Sequence, residues 1–567
     1  MSKQGDNDMR TWGPLFAAIV GALLVAVSVT TPPRPRGLET PVAAFSAARA
    51  MTDVREIGRS PHPTGSADNA RVRAYLVARL RSLGLVVREA TTPLSDTGAA
   101  RLADWSKSPA RPPLVNIVAT PPSGEPDAKA VLLLAHYDSV WGSPGAADDG
   151  AGVASALEVV RALKDAATRA KRPLTVVFTD GEELGLEGAK SFFGADPTRH
   201  SIGVVVNMET RGGGGRTAMF ETGRDNGEMM RLFGDTVHHP SATSLSVFIY
   251  EKLPNDTDYT VAKRLGIPGF NFAFIGRAGQ YHSPLATPDR LDQGALQDMG
   301  NQVLDLTRAL LTADHLPGFA PSVTFFDGAG FGTVMYSPAW GWAVLGVAAL
   351  LWGVAAWRSH AGTAALAHGV LMLLAVIFLA GGLLFLVNLL SGADGPVNYY
   401  NRLAAVPLLQ LQAAFIGIAA LLLPLAWSTR NRATTAAGVA LPLLLLGAAA
   451  QALAPTAAFV FAWPLLLGGA GAASGSRWGS ALAAALAGGW LLGLAFFMHQ
   501  AVGGPMPWVA VLPLSLVAAL TWPVAPVIER RYAHAFAGAL LLTACAVALT
   551  VRLAPLSPYA AVYSRAR

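Results

Sequence analysis

Between about residues 40 and 315 the chain alternates short apolar runs with segments whose apolar positions recur every three or four residues. Val131 to Leu134, Leu174 to Phe178 and Gly203 to Val206 are β-branched or leucine-rich runs of strand length, the pattern of central strands covered on both faces. Helical spacing predicts helices over about 68–83, 150–165, 226–238 and 294–313. Strands alternating with helices predict an α/β domain. Each strand run leads to a side chain that binds metals or moves protons: His136, then Glu182 and Glu183 after a short turn, then Glu209. In open parallel sheets ligand sites form beyond the carboxyl ends of strands, so the pattern and the chemistry single out the same edge.

Longer apolar runs frame this region. The first, Pro14 to Val29, follows Lys3 and Arg10 and precedes the Pro-Arg-rich stretch Thr31 to Gly37. It reads as an uncleaved signal anchor, because no small-residue cleavage site precedes that stretch. Beyond residue 336, runs near 338–357, 364–391, 404–427, 435–453, 455–473, 479–498, 507–527 and 533–551 predict about eight spanning helices. Only Ala454, Pro455 and Thr456 divide the fourth from the fifth. The expected organisation is a tail and membrane anchor over 1–36, a catalytic domain over 37–318, a linker over 319–335 and an all-α polytopic membrane domain over 336–567.

Composition agrees with a membrane part: 52% of the 567 residues are hydrophobic and only 14% charged. Asp394 and Glu529 are the acidic residues beyond 336. Arg358, then Arg430 and Arg432, then Arg477, then Arg530 and Arg531 occupy alternate loops, whereas the intervening loops hold Arg402. The positive-inside rule puts the first set in the cytoplasm, and helix parity puts the amino terminus there too and the α/β domain on the opposite side. Arg552, Arg565 and Arg567, in the carboxy-terminal tail, run against that pattern. The alanine- and arginine-rich composition points to a bacterial inner membrane with the α/β domain in the periplasm. The net charge of +6 comes with no basic patch interleaved with aromatics, so no nucleic-acid partner is expected. Cys545 is the single cysteine, which leaves imidazoles and carboxylates as the metal ligands available.

The candidate chemistry lies in five short stretches: AHYDS at 135–139, GAADDGAG at 145–152, DGEELG at 180–185, NME at 207–209 and YHSP at 281–284. His136 and Asp138 form an H-x-D in which the imidazole binds metal through one nitrogen while a carboxylate holds the other. Asp148, set among small residues at a loop-to-helix junction, has room to approach two cations; the bland alternative is a helix N-cap by Asp148 or Asp149. Glu182 and Glu183 invite a division of labour, one ligand and one proton acceptor, although a charged helix start is the common reading of such a pair. Glu209 and His282 are each weak alone. Gly212 to Gly215 lacks the lysine of a phosphate-binding loop and reads as a flexible loop.

Taken as an ordered series, these motifs resemble the di-zinc exopeptidase family of leucyl aminopeptidases, aminopeptidase Y and glutamate carboxypeptidase. The amino-terminal anchor, the carboxy-terminal spans and Pro-His-Pro-Thr-Gly-Ser at 61–66 resemble its membrane-bound branch, which includes the endoplasmic reticulum metallopeptidase and the vacuolar membrane protease. The resemblance implies a mixed, mostly parallel sheet sandwiched by helices and two Zn2+ ions bridged by Asp148. Glu183 and His282 would complete one metal site, and His136 and Glu209 the other. Glu182 would be the general base, Tyr281 a donor to the oxyanion, Asp138 the residue orienting His136, and Asp258 an outer aspartate. Glu209 departs from the family, many soluble members of which carry aspartate there. The expected activity is that of a membrane-anchored zinc aminopeptidase acting on peptides outside the cytoplasm. A glutaminyl cyclase-like enzyme with one metal, and a non-catalytic receptor or transporter that keeps the fold, are the alternatives.

Overall fold

The computed structural model describes residues 3–122, 128–164, 170–328, 332–394, 399–428 and 431–554, with residues 3–11 as backbone only. Arg430, Arg565 and Arg567 of the charge pattern lie outside the described residues. The chain divides into two compact units. One comprises Thr31–Met335 with residues 398–404; the other comprises Met1–Thr30, Tyr336–Val397 and Ala405–Leu556.

Among the described residues the first unit is built on seven strands: β1 (Val86–Pro93), β2 (Pro113–Thr120), β3 (Ala130–His136), β4 (Leu174–Thr179), β5 (Ile202–Thr210), β6 (Gly214–Thr222) and β7 (Gly269–Gly276). They form one sheet in the order β1-β2-β4-β3-β5-β7-β6. The four central strands β4, β3, β5 and β7 are parallel, and β1, β2 and β6 are added antiparallel at the edges. β3 is buried at every residue, which is why its sequence is an unbroken apolar run rather than an alternation.

Helices Ala47–Ile57, Gly150–Leu163 and Gln293–Thr312 contribute Met51, Leu157 and Leu296 to one large apolar cluster with Val131, Leu133 and Val206 of the sheet. Glu187–Ala195 and Asp258–Arg264 contribute Phe192, Phe193 and Tyr259 to a second, with Leu132, Leu134 and Val205. Successive strand residues point to opposite faces, so the sheet is covered on both. The helices observed at Ala67–Ser82, Gly150–Leu163, Gly227–Thr236 and Gln293–Thr312 are those the periodicity predicts. The described residues of the stretch read as linker, 319–328 and 332–335, carry structure of their own. Thr324–Asp327 pairs with Thr333–Tyr336, and Phe325 is buried in the larger cluster.

The second unit is helical. Among the described residues eight helices are long and apolar enough to cross a membrane: Trp12–Thr30, Trp340–Arg358, Thr363–Ala393, Tyr399–Trp427, Arg432–Leu453, Arg477–Val502, Pro507–Val524 and Arg530–Leu553. Phe459–Ala473, with 15 residues, is shorter. The break at 454–456 is real, since the preceding helix stops at Leu453. The amino-terminal helix packs closely on Arg477–Val502. A Cβ on Gly21 would lie 2.7 Å from the Ala485 Cβ, and one on Gly489 would lie 2.5 Å from the Val25 Cβ. Small residues let two apolar helices approach to van der Waals contact where no water is present to drive association.

Candidate active site

The carboxyl ends of the four parallel strands carry the candidate side chains. Leu134 of β3 pairs with Asn207 of β5. Two residues further along each strand, on the same face, His136 and Glu209 stand side by side, with Nε2 and Oε2 3.8 Å apart. The strand that the apolar run predicts to stop at Val206 continues to Thr210, so Glu209 is held by the sheet itself. β4 ends at Thr179, and Gly181, at φ +70°, turns the chain so that Glu182 and Glu183 follow at once. His282 lies in the loop after β7 with its own φ at +53°, a conformation disfavoured for a side-chain-bearing residue.

Asp148 and Asp149 divide the two roles open to them. Asp149 caps the helix Gly150–Leu163 by accepting the Gly152 N–H, and it also accepts the N–H of His136. The peptide bond between the two aspartates is cis. Asp148 turns its carboxylate to the histidines. Its Oδ1 is 3.3 Å from His136 Nε2 and its Oδ2 is 3.1 Å from His282 Nε2. Glu183 Oε1 is likewise 3.1 Å from His282 Nε2. One carboxylate therefore faces two sets of donors, His136 with Glu209 and His282 with Glu183.

Asp138 has a second contact beside the one its spacing suggests. His136 Nδ1 lies 3.0 Å from the Asp138 backbone carbonyl and 3.5 Å from its carboxylate. The carboxylate accepts the N–H groups of Glu182 at 3.1 Å and Glu183 at 3.4 Å. A carboxylate accepts well from two adjacent amides at a turn, so this side chain spans the turn and the imidazole edge, with the backbone carbonyl the nearer acceptor for Nδ1. Asp258 opens its helix and accepts a hydrogen bond from the Thr179 hydroxyl, Thr179 being paired with His136 across β3 and β4. Its other oxygen is buried with no hydrogen-bond partner among the described residues. Tyr281 stacks on the His282 ring with centroids 3.7 Å apart.

The electrostatics are those of crowded acids away from water. Burial, reinforced by neighbouring carboxylates, pushes the Glu182 and Glu209 carboxyls well up. Burial pushes the Asp258 carboxyl up to about 6 and the Asp180 carboxyl up to about 7. Burial opposes charge on both histidines, yet their carboxylate neighbours hold them well above the usual imidazole value. For Asp148 burial works upward, but the neighbouring His136 and His282 imidazoles outweigh it and hold the carboxyl below its usual value. Burial and the charges of Asp148 and Glu183 push the Tyr281 phenol up.

These residues suit divalent cations. His282 Nε2 and Glu183 Oε1 are buried and close, yet neither has a hydrogen-bond partner among the described residues. Imidazole nitrogen and carboxylate oxygen are the donors that zinc takes in catalytic sites. Asp148, Glu183, Glu209 and Glu182 also bring more negative charge than two imidazoles offset, and buried charge needs a counter-charge. Protons and cations compete for the same atoms.

Several groups around the site come from outside the five candidate stretches. His62 and Thr64, in the Pro-His-Pro-Thr-Gly-Ser stretch, bond to residues adjoining the site. The His62 N–H donates to Ser139 Oγ, and Thr64 Oγ1 and Asn69 Nδ2 donate to Asp180. Tyr400, far along the chain, places its hydroxyl 3.1 Å from His282 Nδ1. The stretch holding His62 and Thr64 is marked by the family resemblance alone, and the amino-acid pattern offers no local signal for Asn69 or Tyr400, whose partners are distant in sequence.

Comparison with known proteins follows this geometry. Over 214 residues, 36% of this chain and 24% of that protein, the sequence is 30% identical to "Endoplasmic reticulum metallopeptidase 1" of Homo sapiens. Over 239 residues, 41% of this chain and 24% of that protein, it is 33% identical to "Vacuolar membrane protease" of Candida dubliniensis. The chain thus spans about a quarter of the length of these relatives. Among solved structures, the aminopeptidase from Aneurinibacillus sp. strain AM-1 aligns with 14% identity over 50% of this chain and 98% of that one, at a TM-score of 0.38. Residues 116–307, which contain both histidines and all the carboxylates gathered around them, match the model of peptidase family M28, and the chain carries a peptidase domain of that family.

Proposed function

We propose that the chain is a membrane-anchored, zinc-dependent exopeptidase of the aminopeptidase type that binds two zinc ions. The observation that carries this reading is the Asp148 carboxylate, whose two oxygens face two different histidines, each beside its own glutamate. His136 and Glu209 would hold one ion, His282 and Glu183 the other, with Asp148 shared. A bridging carboxylate favours two metals over the single metal of a glutaminyl cyclase-like site, and the complete donor set favours an enzyme over a receptor that keeps only the fold.

When bound, two adjacent zinc ions polarise a scissile carbonyl and make water more acidic. Glu182 takes the proton of the attacking water as its oxygen bonds to the carbonyl carbon. Tyr281 donates a hydrogen bond to the oxygen that gains charge. As the carbon–nitrogen bond breaks, Glu182 returns the proton to the leaving amine. Asp138 holds Glu182 and Glu183 in place through their N–H groups. Asp258 fixes Thr179 at the end of the neighbouring strand.

The arginines at 358, 432, 477, 530 and 531 support a topology with those loops in the cytoplasm and the peptidase domain on the other side, periplasmic if the host membrane is a bacterial inner membrane. The decisive experiment is hydrolysis of a peptide panel by the purified full chain and by Glu182→Gln. The expected result is release of amino-terminal residues from free but not amino-terminally blocked peptides, abolished by chelator and by Glu182→Gln, while that variant keeps its zinc. Equal cleavage of blocked peptides would refute the aminopeptidase reading, and full activity in Glu182→Gln would refute the assignment of the base.

A further inference from the structure

His282 needs an orienting partner, and the chain supplies one from outside the M28 segment. Its Nε2 faces Asp148 and Glu183, so the lone pair that meets a cation is on Nε2 and the proton is on Nδ1. That Nδ1–H points at the Tyr400 hydroxyl, 3.1 Å away, which accepts it. Tyr400 is buried, and its ring lies tilted against the imidazole at a centroid distance of 5.9 Å. The same short segment is tied to the catalytic unit at two further points. Tyr399 accepts a hydrogen bond from Arg211, two residues beyond Glu209, whose guanidinium also lies over its ring. Ala404 lies so close to Gly279 that a Cβ there would come within 2.8 Å of the Ala404 Cα. Residues 399–404, which open the helix Tyr399–Trp427, belong to the same compact unit as His282.

His136 is served differently, by the Asp138 carbonyl two residues away on its own strand end. His282 sits in an irregular loop, in a left-handed backbone conformation, where neither strand pairing nor a helix fixes the ring. Tyr281 stacks on one face of the imidazole, which limits its tilt but leaves rotation in the ring plane open. A hydrogen bond at Nδ1 removes that freedom and selects the tautomer.

We propose that Tyr400 is the positioning residue for His282, so that the zinc position formed by His282 and Glu183 depends on the segment that begins the third helix after residue 336. This rests on reading the cluster as a zinc site. Its role is to hold a ligand, and it touches neither substrate nor reacting atoms.

The test compares full-length wild type, Tyr400→Phe and Tyr399→Phe, each purified with zinc and titrated with chelators of graded strength while bound zinc is counted. Cobalt-substituted samples are followed by visible absorption. Tyr400→Phe keeps the ring and removes the hydroxyl. It is expected to bind one of its two zinc ions about 10- to 100-fold more weakly, the usual cost of losing such a partner, and to leave the other unchanged. Its cobalt spectrum should change, and its kcat should recover with added zinc at an unaltered KM. Tyr399→Phe, whose hydroxyl meets Arg211 instead, should keep both affinities. Wild-type affinities and cobalt spectrum in Tyr400→Phe would overturn the proposal, as would equal losses in both variants, which would mean that the segment only docks. Wild type that binds no zinc would overturn the reading of the site itself, a result distinct from either.

Discussion

His282 Nε2 and Glu183 Oε1 lie 3.1 Å apart, both buried, and do not hydrogen-bond to one another. Two such atoms side by side are costly unless something positive lies between them. The arrangement therefore predicts that metal is part of the folded state. Zinc at about 100 times its dissociation constant should add roughly 2.7 kcal/mol to stability, a rise of about 5 to 10 °C in the melting temperature of a domain this size. Calorimetry of the chain in detergent, before and after chelation and then with zinc restored, measures this. An identical melting profile in all three states would rule out a metal in the fold.

Asp148 is the residue whose loss should be felt on both sides. In Asp148→Asn one oxygen becomes an amide nitrogen, which donates hydrogen bonds and cannot ligate a cation through a lone pair. Because Oδ1 serves His136 and Oδ2 serves His282, neither rotamer of asparagine satisfies both. The expected outcome is fewer than two zinc ions per chain and a fall in kcat/KM of at least about 1000-fold, on the scale seen when one member of a catalytic unit is removed. Zinc counting alongside peptide hydrolysis checks it, and full metal content with near-normal turnover would count against a shared ligand.

His62 predicts a pH dependence of stability. It is buried, with Nδ1 bonded to the Ser60 carbonyl, and burial lowers its pKa to about 4 from 6.5. The unfolded chain thus binds a proton that the folded chain refuses between those values. Stability from this residue is complete above pH 6.5 and falls as the pH drops towards 4, by about 3 kcal/mol over the whole window. His62→Gln should lose that share of the slope. Unfolding midpoints of wild type and variant at several pH values, at one fixed zinc level, give the difference, and parallel curves would show that His62 does not titrate in this way.

The parts of the site that were legible in the sequence share a physical reason. His136, Glu182, Glu183 and Glu209 follow apolar runs whose strand character is local, and a parallel sheet brings such strand ends together. Asp148 stood out through the small residues around it, although only the structure separates its role from the capping role of Asp149. What stayed hidden depends on contacts between distant segments. Asp180 meets Thr64 and Asn69 from before the sheet, and Tyr400 reaches His282 across 118 residues. No period or motif records such a meeting. Asp138 shows the subtler case, in which the H-x-D spacing places both its carbonyl and its carboxylate beside His136 Nδ1 but does not show that the carboxylate also accepts the amides of Glu182 and Glu183.

The topology turns on the helix Phe459–Ala473. Its 15 residues rise about 22 Å, short of a hydrocarbon core of about 30 Å. Four helices separate Ser359 from Ser476, this one among them. If all four cross, Arg358 and Arg477 share one face, as the positive-inside rule requires; if Phe459–Ala473 does not, they are on opposite faces. A short helix can cross where the flanking chain extends it or the bilayer thins, at a cost of fractions of a kcal/mol per Å. The arginine pattern therefore predicts a crossing. Single cysteines at Ser359, Thr456 and Ser476, each in a Cys545→Ser background, can be labelled in oriented vesicles with a membrane-impermeant maleimide. Ser359→Cys and Ser476→Cys should react from the same side and Thr456→Cys from the other. Reaction of the two serine positions from opposite sides would remove this helix from the spanning set and reverse the predicted side of every loop after it.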